Sequence, residues 1–456
     1  MKKYLKIINL MLLSLISLSA NAQIGSYHTV TSPMIISEPF LPYANNITIG
    51  VYPDMAVSYH DVTVSPGNFV GYVTINKNAS LIHRIELFPH GLRILDMVQH
   101  DFTNRIFFCG TKGDTVGVLG YFDIDSVGSF VEIYCDEVPY SVRLSKLVEY
   151  KGNGMYNLAA YGDGSVKMNG EYIFVDVPLQ YFPNPLYYVS GLGHAYKPFG
   201  IVCTDNYISL YSHNTSKDRI YARRFLRSNL YDPMCNYLYE YPVSSEMTFG
   251  PMATFLGEEY YSDNSEDEVA IVYMTKESNV WKTYMKRLEL NNMDMICDHV
   301  HTMHGKSGLF GLTYLAVSKK LAVLELLDPG YSSFNSSVVM FEPMTTSTYT
   351  ADVFHDVGQN DYNSMGRLYS AGYTVNHFVA GYTHNNNGHW WAQDDVVNTS
   401  DPCAYKGEVK VKVTPPTTKS LLSSPLSPIA RVLNLNSILQ ASSTYSSVYP
   451  CTYSIR

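Results

Sequence analysis

The chain has 456 residues, of which 46% are hydrophobic and only 16% charged. That supplies apolar surface for a large core and excludes a disordered polyelectrolyte. The formal charge is −9, with 32 basic against 41 acidic residues and no cluster of Lys or Arg; phosphate contacts need clustered cations, so a nucleic-acid partner is excluded.

Residues 1–22 read as a secretory signal peptide. Lys2, Lys3 and Lys6 give a positive start, Ile7–Leu18 an apolar run, and Ala20-Asn21-Ala22 the small residues of a cleavage site before Gln23. The run is shorter than the roughly 20 residues of a membrane span, no Cys follows it for lipid attachment, and no later segment is apolar enough to cross a bilayer. The expected product is exported to the periplasm, the cell surface or the medium, with no transmembrane segment.

Beyond the leader, apolar runs of strand length alternate with Gly, Asn, Asp, Ser and Pro, and no sustained helical period appears. One unit recurs: apolar strand, polar turn, apolar strand. It appears at Arg105–Ile124, Glu268–Leu290, Lys320–Phe341 and Asn376–Gln393. Shorter strands precede it and suggest paired first halves of a larger unit. They pair "RILDMV" with "RIFFCG", "KLVEY" (Lys146–Tyr150) with "YNLAAYG" (Tyr156–Gly162), and "LYYVSGL" (Leu186–Leu192) with "FGIVCT". Further on, "MATFLG" pairs with "EVAIVYM", "LTYLAV" (Leu312–Val317) with "KLAVLEL", and "RLYSAGY" (Arg367–Tyr373) with "HFVAGYT". "NITIGVYP" and "FVGYVTINKNASLIHRIELF" upstream supply a seventh unit or part of one. The cleanest in–out alternation is "GEVKVKVTPP" (Gly407–Pro416), with Val409, Val411 and Val413 against Lys410 and Lys412; it is expected to close the array on its first unit. The Ser- and Pro-rich stretch Thr417–Val432 reads as a loop or an extended peptide lying on the surface.

By these repeats, over about Ile94–Gln393, the chain resembles the exported bacterial β-propeller proteins. The resemblance implies an all-β fold: a six- or seven-bladed β-propeller of four-stranded antiparallel blades over 23–416, with 417–456 a C-terminal extension. It also implies that the turns Thr111–Thr115, Thr275–Asn279, Asp328–Ser332 and Thr383–Gly388 share one face. The Trp-Asp, kelch and sialidase signatures are missing.

Several constellations carry possible chemistry. Cys297, His299 and His301 in "ICDHVHTMH" would share one face of an outer, partly exposed strand and offer zinc ligands, with His304 nearby. "THNNNGHWW" places His384, His389, Trp390 and Trp391 together as a sugar-binding loop. The acidic run Glu258–Glu268 offers oxygen ligands for calcium without the spacing of an EF-hand. Asp96 and Glu149, on first strands of adjacent units, are the candidate carboxylate pair for cutting a glycan. Cys403 and Cys451 bracket the C-terminal segment and are the candidate disulfide among seven cysteines. Cys109 and Cys203 both end what reads as the first strand of a unit. The 39 tyrosines suit strand packing, and also interfaces and sugar faces.

No nucleophile elbow, metalloprotease helix or phosphate loop is present. The expected function is therefore non-catalytic: an exported binding or scaffold protein, without a cofactor, that uses one loop face to hold a glycan or an envelope protein. The alternatives are a propeller enzyme acting on polysaccharide and a structural module of a cell-surface assembly.

Overall fold

The computed structural model describes residues 26–433 except 31–45, 52–54, 66–67, 78–79, 88–90, 101–102, 126–129, 153, 167–171, 183–185, 193–195, 205, 231–236, 244, 257–267, 291, 304–306, 316–317, 328–335, 356–360, 370–374, 385–386, 395–403, 413–417 and 422–429. The fold is all-β and built of antiparallel four-stranded units. None of the described helical segments is long and apolar enough to cross a membrane.

The strands run in chain order. After β1 (Ser26–Val30), the first sheet is β2 (Asn46–Val51), β3 (Met55–Ser65), β4 (Asn68–Lys77) and β5 (Ser80–Glu86). The next is β6 (Leu92–Gln99), β7 (Arg105–Lys112), β8 (Val116–Ile124) and β9 (Phe130–Glu137). Then follow β10 (Ser141–Gly152), β11 (Met155–Gly164), β12 (Tyr172–Pro178) and β13 (Leu186–Gly191), and β14 (Lys197–Cys203), β15 (Tyr207–His213), β16 (Arg219–Leu226) and β17 (Tyr237–Pro242). The nine-stranded sheet contains two such units: β18 (Met247–Phe255), β19 (Glu268–Glu277), β20 (Val280–Glu289), β21 (Met295–Met303), and β22 (Ser307–Leu315), β23 (Lys320–Leu327), β24 (Ser336–Phe341), β25 (Tyr349–His355). The remaining strands are β26 (Asp361–Tyr369), β27 (Val375–His384), β28 (Asn387–Asp394), β29 (Ala404–Lys412), β30 (Thr418–Leu421) and β31 (Ala430–Leu433).

First strands pack on first strands. β2 lies against β6, β6 against β10, β10 against β14, β14 against β18, β18 against β22, β22 against β26, and β26 against β2 again. The cores sit between consecutive sheets. Val57, Tyr59 and Val73 meet Leu92, Ile106 and Phe122, while Phe107, Leu119 and Tyr121 meet Leu144, Leu158 and Val175. Tyr161 and Phe174 meet Ile208 and Phe225; Tyr211, Ala222 and Tyr239 meet Ile271, Tyr273 and Tyr284; Val272 and Met285 meet Leu321, Val323 and Val339. A sheet covered on both faces has no solvent side, so its middle strands are buried almost without a break, as β7, β8, β11 and β19 are. Many tyrosines serve this packing: Tyr59, Tyr161, Tyr187, Tyr211, Tyr239, Tyr241, Tyr273 and Tyr284 are among the largest fully buried side chains.

The repeated hairpins are the middle strands, and four of their assumed partners are indeed the strands before them: β6–β7, β10–β11, β18–β19 and β22–β23, with β26–β27 a fifth. "LYYVSGL" with "FGIVCT" is a correction. β13 pairs with β12 and ends one unit, whereas β14 pairs with β15 and opens the next. The apolar patterns of the two strands are alike, and only the inter-unit connection separates them. Cys109 and Cys203 consequently do not share a position: Cys109 is buried on second strand β7, and Cys203 ends first strand β14. The upstream segment forms β2–β5.

The C-terminal strands are the second correction. β29 does not join the first unit; it sits between β21 and β25, pairing His299 with Val411 and Val353 with Tyr405. β30 then pairs with β17, and β31 with β13. Within Thr417–Val432, read as a loop or an extended surface peptide, the described residues thus form strands that add to sheet edges. It is β1 that adds to the last unit, pairing with β28.

First and second strands meet through a bulge at Ile94/Asp96 and again at Leu144/Lys146. The extra residue presses the first strand onto a glycine, because a Cβ on Gly110 or Gly162 would lie 1.9 Å from the carbonyl oxygen of Arg93 or Arg143. Gly110→Ala and Gly162→Ala should each destabilise the fold by about 2 kcal/mol or more by urea melts, with the slope unchanged. A loss below about 0.5 kcal/mol would show that the bulges relax freely. A chain ending at 403 should melt earlier and associate with rising concentration in size-exclusion chromatography, because the β21, β25, β17 and β13 edges lose their partners.

Candidate functional site

The seam between β6 and β10 gathers the candidate carboxylates. Thr111 Oγ1 donates to the Val142 carbonyl at 2.9 Å and Cys109 Sγ to that of Leu144 at 3.5 Å. Asp96 accepts the Leu147 N–H on Oδ2 at 2.9 Å and the Met97 N–H on Oδ1 at 3.1 Å. Desolvation pushes the Asp96 carboxyl up, while Lys146 and the two backbone donors pull the other way. Both oxygens are therefore used within the fold, and Asp96 acts as a staple between neighbouring first strands.

Glu149 lies two residues further along β10 and turns to a different partner. Its Oε2 is 2.6 Å from His100 Nδ1, across the seam, with the imidazole 25% exposed and the carboxylate 9%. The ring stands edge-on to Phe107, 5.6 Å between centroids, and to Tyr156, 5.2 Å. Asp96 and Glu149 thus share a seam, each with its own partners. Sequence reading missed His100: its partner is 49 residues away, and no local spacing marks the pair.

Cys297, His299 and His301 do share one face of a strand. The strand is not outer or partly exposed, because β29 covers β21; His299 is 0% and His301 4% exposed. Cys297 Sγ is 3.3 Å from His299 Nε2, and His299 Nδ1 is 3.2 Å from the Tyr349 hydroxyl. His301 Nδ1 faces Glu325 Oε1 at 3.4 Å, and the same oxygen accepts from Thr283 Oγ1 at 2.5 Å. The cluster joins β20 and β21 to β23 and β25, between two units. Among the described residues no three His, Cys, Asp or Glu converge as a metal site. Glu325 was also missed, although an acid inside "KLAVLEL" is a visible signal: a buried carboxylate needs a partner. Its Oε2 has no hydrogen-bond partner among the described residues.

Burial lowers His299 to about 4, helped by the charge of Arg287. His301 is desolvated too, but the charge and hydrogen bond of Glu325 outweigh this and hold it above the ordinary value.

The side chains of His384, His389, Trp390 and Trp391 lie outside the described residues, as do Cys403, Cys451 and His304. The backbone puts His389, Trp390 and Trp391 inside β28, paired with β27 and with β1. Of the acidic run, 258–267 lie outside the described residues. Glu268 is described, buried, and held by Arg287 Nε and Nη2, both at 2.6 Å.

No family model matches the chain, and no curated protein is significantly similar to it.

The two histidines work in opposite senses. A lowered folded value means that the unfolded chain takes up the proton first, so His299 removes stability as pH falls from about 6.5 towards 4. The raised value of His301 means that its contribution is complete below the unfolded value and is lost as pH rises through the folded one. The stability difference between wild type and His299→Gln should therefore close by about 2 kcal/mol between pH 7 and pH 4.5 in denaturant melts. A difference that does not move would mean that His299 is not held neutral by its burial.

Proposed function

We propose that the chain is an exported seven-bladed β-propeller that binds a glycan or an envelope protein and has no catalysis of its own. The observation that carries this reading is the circuit of first-strand contacts, which leaves β2 and returns to it through β26. Seven four-stranded units, each packed on the next, favour radial closure, since this protects sheet edges that an open stack exposes. The pairing of β1 with β28 supplies the fourth strand of the last blade from the other end of the chain. The expected array-closing role of a terminal strand is met in this reading by the N-terminal side.

The binding function rests on where the polar groups go. Asp96 accepts from two backbone donors, and Glu268 is held by Arg287, so these acids are not free for a substrate. A blade scaffold that spends its buried acids on seams presents ligands to the strand ends, where connections are exposed. Fold alone does not assign the ligand.

Residues 23–456, purified and applied to a glycan array with product analysis of every hit, should retain a glycan and release nothing shortened. Shortened product would overturn the non-catalytic reading. A complete lack of retention would leave an envelope protein as the ligand.

A further inference from the structure

We propose that His100, held by Glu149, is a ligand site that takes a hydroxyl of a neutral sugar, with the Tyr156 ring beside it as the surface on which the sugar ring lies. This rests on the glycan-binding reading and gives it a place.

The site is built before any ligand arrives. Glu149 Oε2 at 2.6 Å fixes the Nδ1 side of the imidazole, as carboxylates fix ring and tautomer wherever a histidine is oriented for use. The His100 backbone is pinned as well. Its N–H donates to the Arg105 carbonyl at 2.9 Å, and its carbonyl accepts from the Thr103 N–H and Oγ1, each at 2.7 Å. Gln99 Nε2 reaches the Thr103 carbonyl at 2.7 Å and holds the same turn. The imidazole is 25% exposed, so the ring held in this frame is open to solvent.

The neighbours decide the ligand class. Phe107 and Tyr156 pack at steep angles to the imidazole, 67° and 88° between ring planes. The Lys151 ammonium stands 5.1 Å from the Tyr156 ring centroid. The nearby cation Arg105 is already committed, to Asp123 through two bonds of 2.7 and 2.6 Å and to the Tyr121 ring at 3.9 Å. A hydroxyl serves Nε2 in either state of the ring, as donor to the neutral imidazole or acceptor from the charged one. An apolar C–H face next to that hydroxyl suits the Tyr156 ring. Sugars combine the two. The site lies at the end of the sheets opposite the turn Gly113–Thr115, because Leu92 pairs with Lys112 while Gln99 pairs with Ile106. The binding face is thus the reverse of the one suggested by the repeated turns.

The test uses the chain 23–456 with histidine ring nitrogens labelled, titrated with methyl β-glucoside, methyl β-galactoside and methyl α-mannoside. The expected result is a saturable shift of the His100 Nε2 resonance with at least one of them. His100→Ala and Tyr156→Ala should each weaken that binding at least tenfold, and His100→Gln, which keeps a polar tip, less. His100→Ala also removes a seam contact, so its melting temperature and circular dichroism are read alongside. Glycan retention by the wild type that is unchanged in folded His100→Ala and Tyr156→Ala overturns the site and leaves the glycan-binding reading intact. A wild type that neither shifts at His100 nor retains any glycan on the array overturns both.

Discussion

The core of this fold depends on the sheets from β6 to β21 being covered on both faces by their neighbours. A half-buried sheet can hide polar residues on its solvent side; a sheet packed between two others cannot. A polar group that enters a seam is therefore best satisfied by a partner in its own sheet or in the next one. Several bonds cross to the next sheet. Tyr59 reaches the Leu92 carbonyl, Tyr241 that of Met293, Arg223 that of Leu192 and Arg224 that of Leu290. Tyr187 reaches Asp136 and Thr283 reaches Glu325. The tyrosines suit such seams because one side chain fills a large volume and ends in a hydroxyl that can cross to the adjacent backbone.

The same packing leaves the outer edges as the exposed backbone of the molecule. The chain deals with them through its own ends. β29 serves two units at once, β30 and β31 add to β17 and β13, and β1 adds to β28. The position of β29 is set by its side chains as well as its ladder. Gly407 sits where a Cβ would come within 2.9 Å of both His301 Nε2 and Val353, so the small residue lets the strand close over a buried imidazole. Val409 enters the core between the two units while Lys406, Glu408, Lys410 and Lys412 stay in water.

That alternation explains which strands were legible in the sequence. The continuous apolar runs of β7, β19 and β23 mark strands buried on two faces, and their hairpins stand out as repeats. The strict alternation at 407–412 marks a strand wet on one face, hence peripheral, but alternation carries no address: nothing in the residues says which edge it joins. β1, with five residues, is too short to signal at all. The boundary between β13 and β14 was illegible for a related reason, since an outer strand covered by β31 and a first strand covered by its neighbours present similar apolar content. In the candidate sites the local half was readable and the remote half was not. Cys297, His299 and His301 share a face as their spacing requires, but their burial depends on β29, more than 100 residues away, and Glu149 was noticed without the histidine that it holds.

The seams also bear on where activity can reside. A carboxylate between two sheets is useful to the fold in proportion to how completely it is satisfied, and a satisfied carboxylate has nothing left for a substrate. Asp96, with both oxygens on backbone N–H groups, stands at one extreme. Glu325, with a shared Oε1 and an orphan Oε2, is incompletely satisfied but fully enclosed, so its unmet capacity is out of a ligand's reach. Glu149 differs from both: it stands where the seam runs out, and the imidazole it holds is open to water. Among the described residues, the inter-sheet bonding that builds the fold leaves an oriented polar group at the surface here, as it does at Arg93, which Asp61 holds. The strand ends, rather than the seams themselves, are thus where this scaffold can present chemistry to a partner.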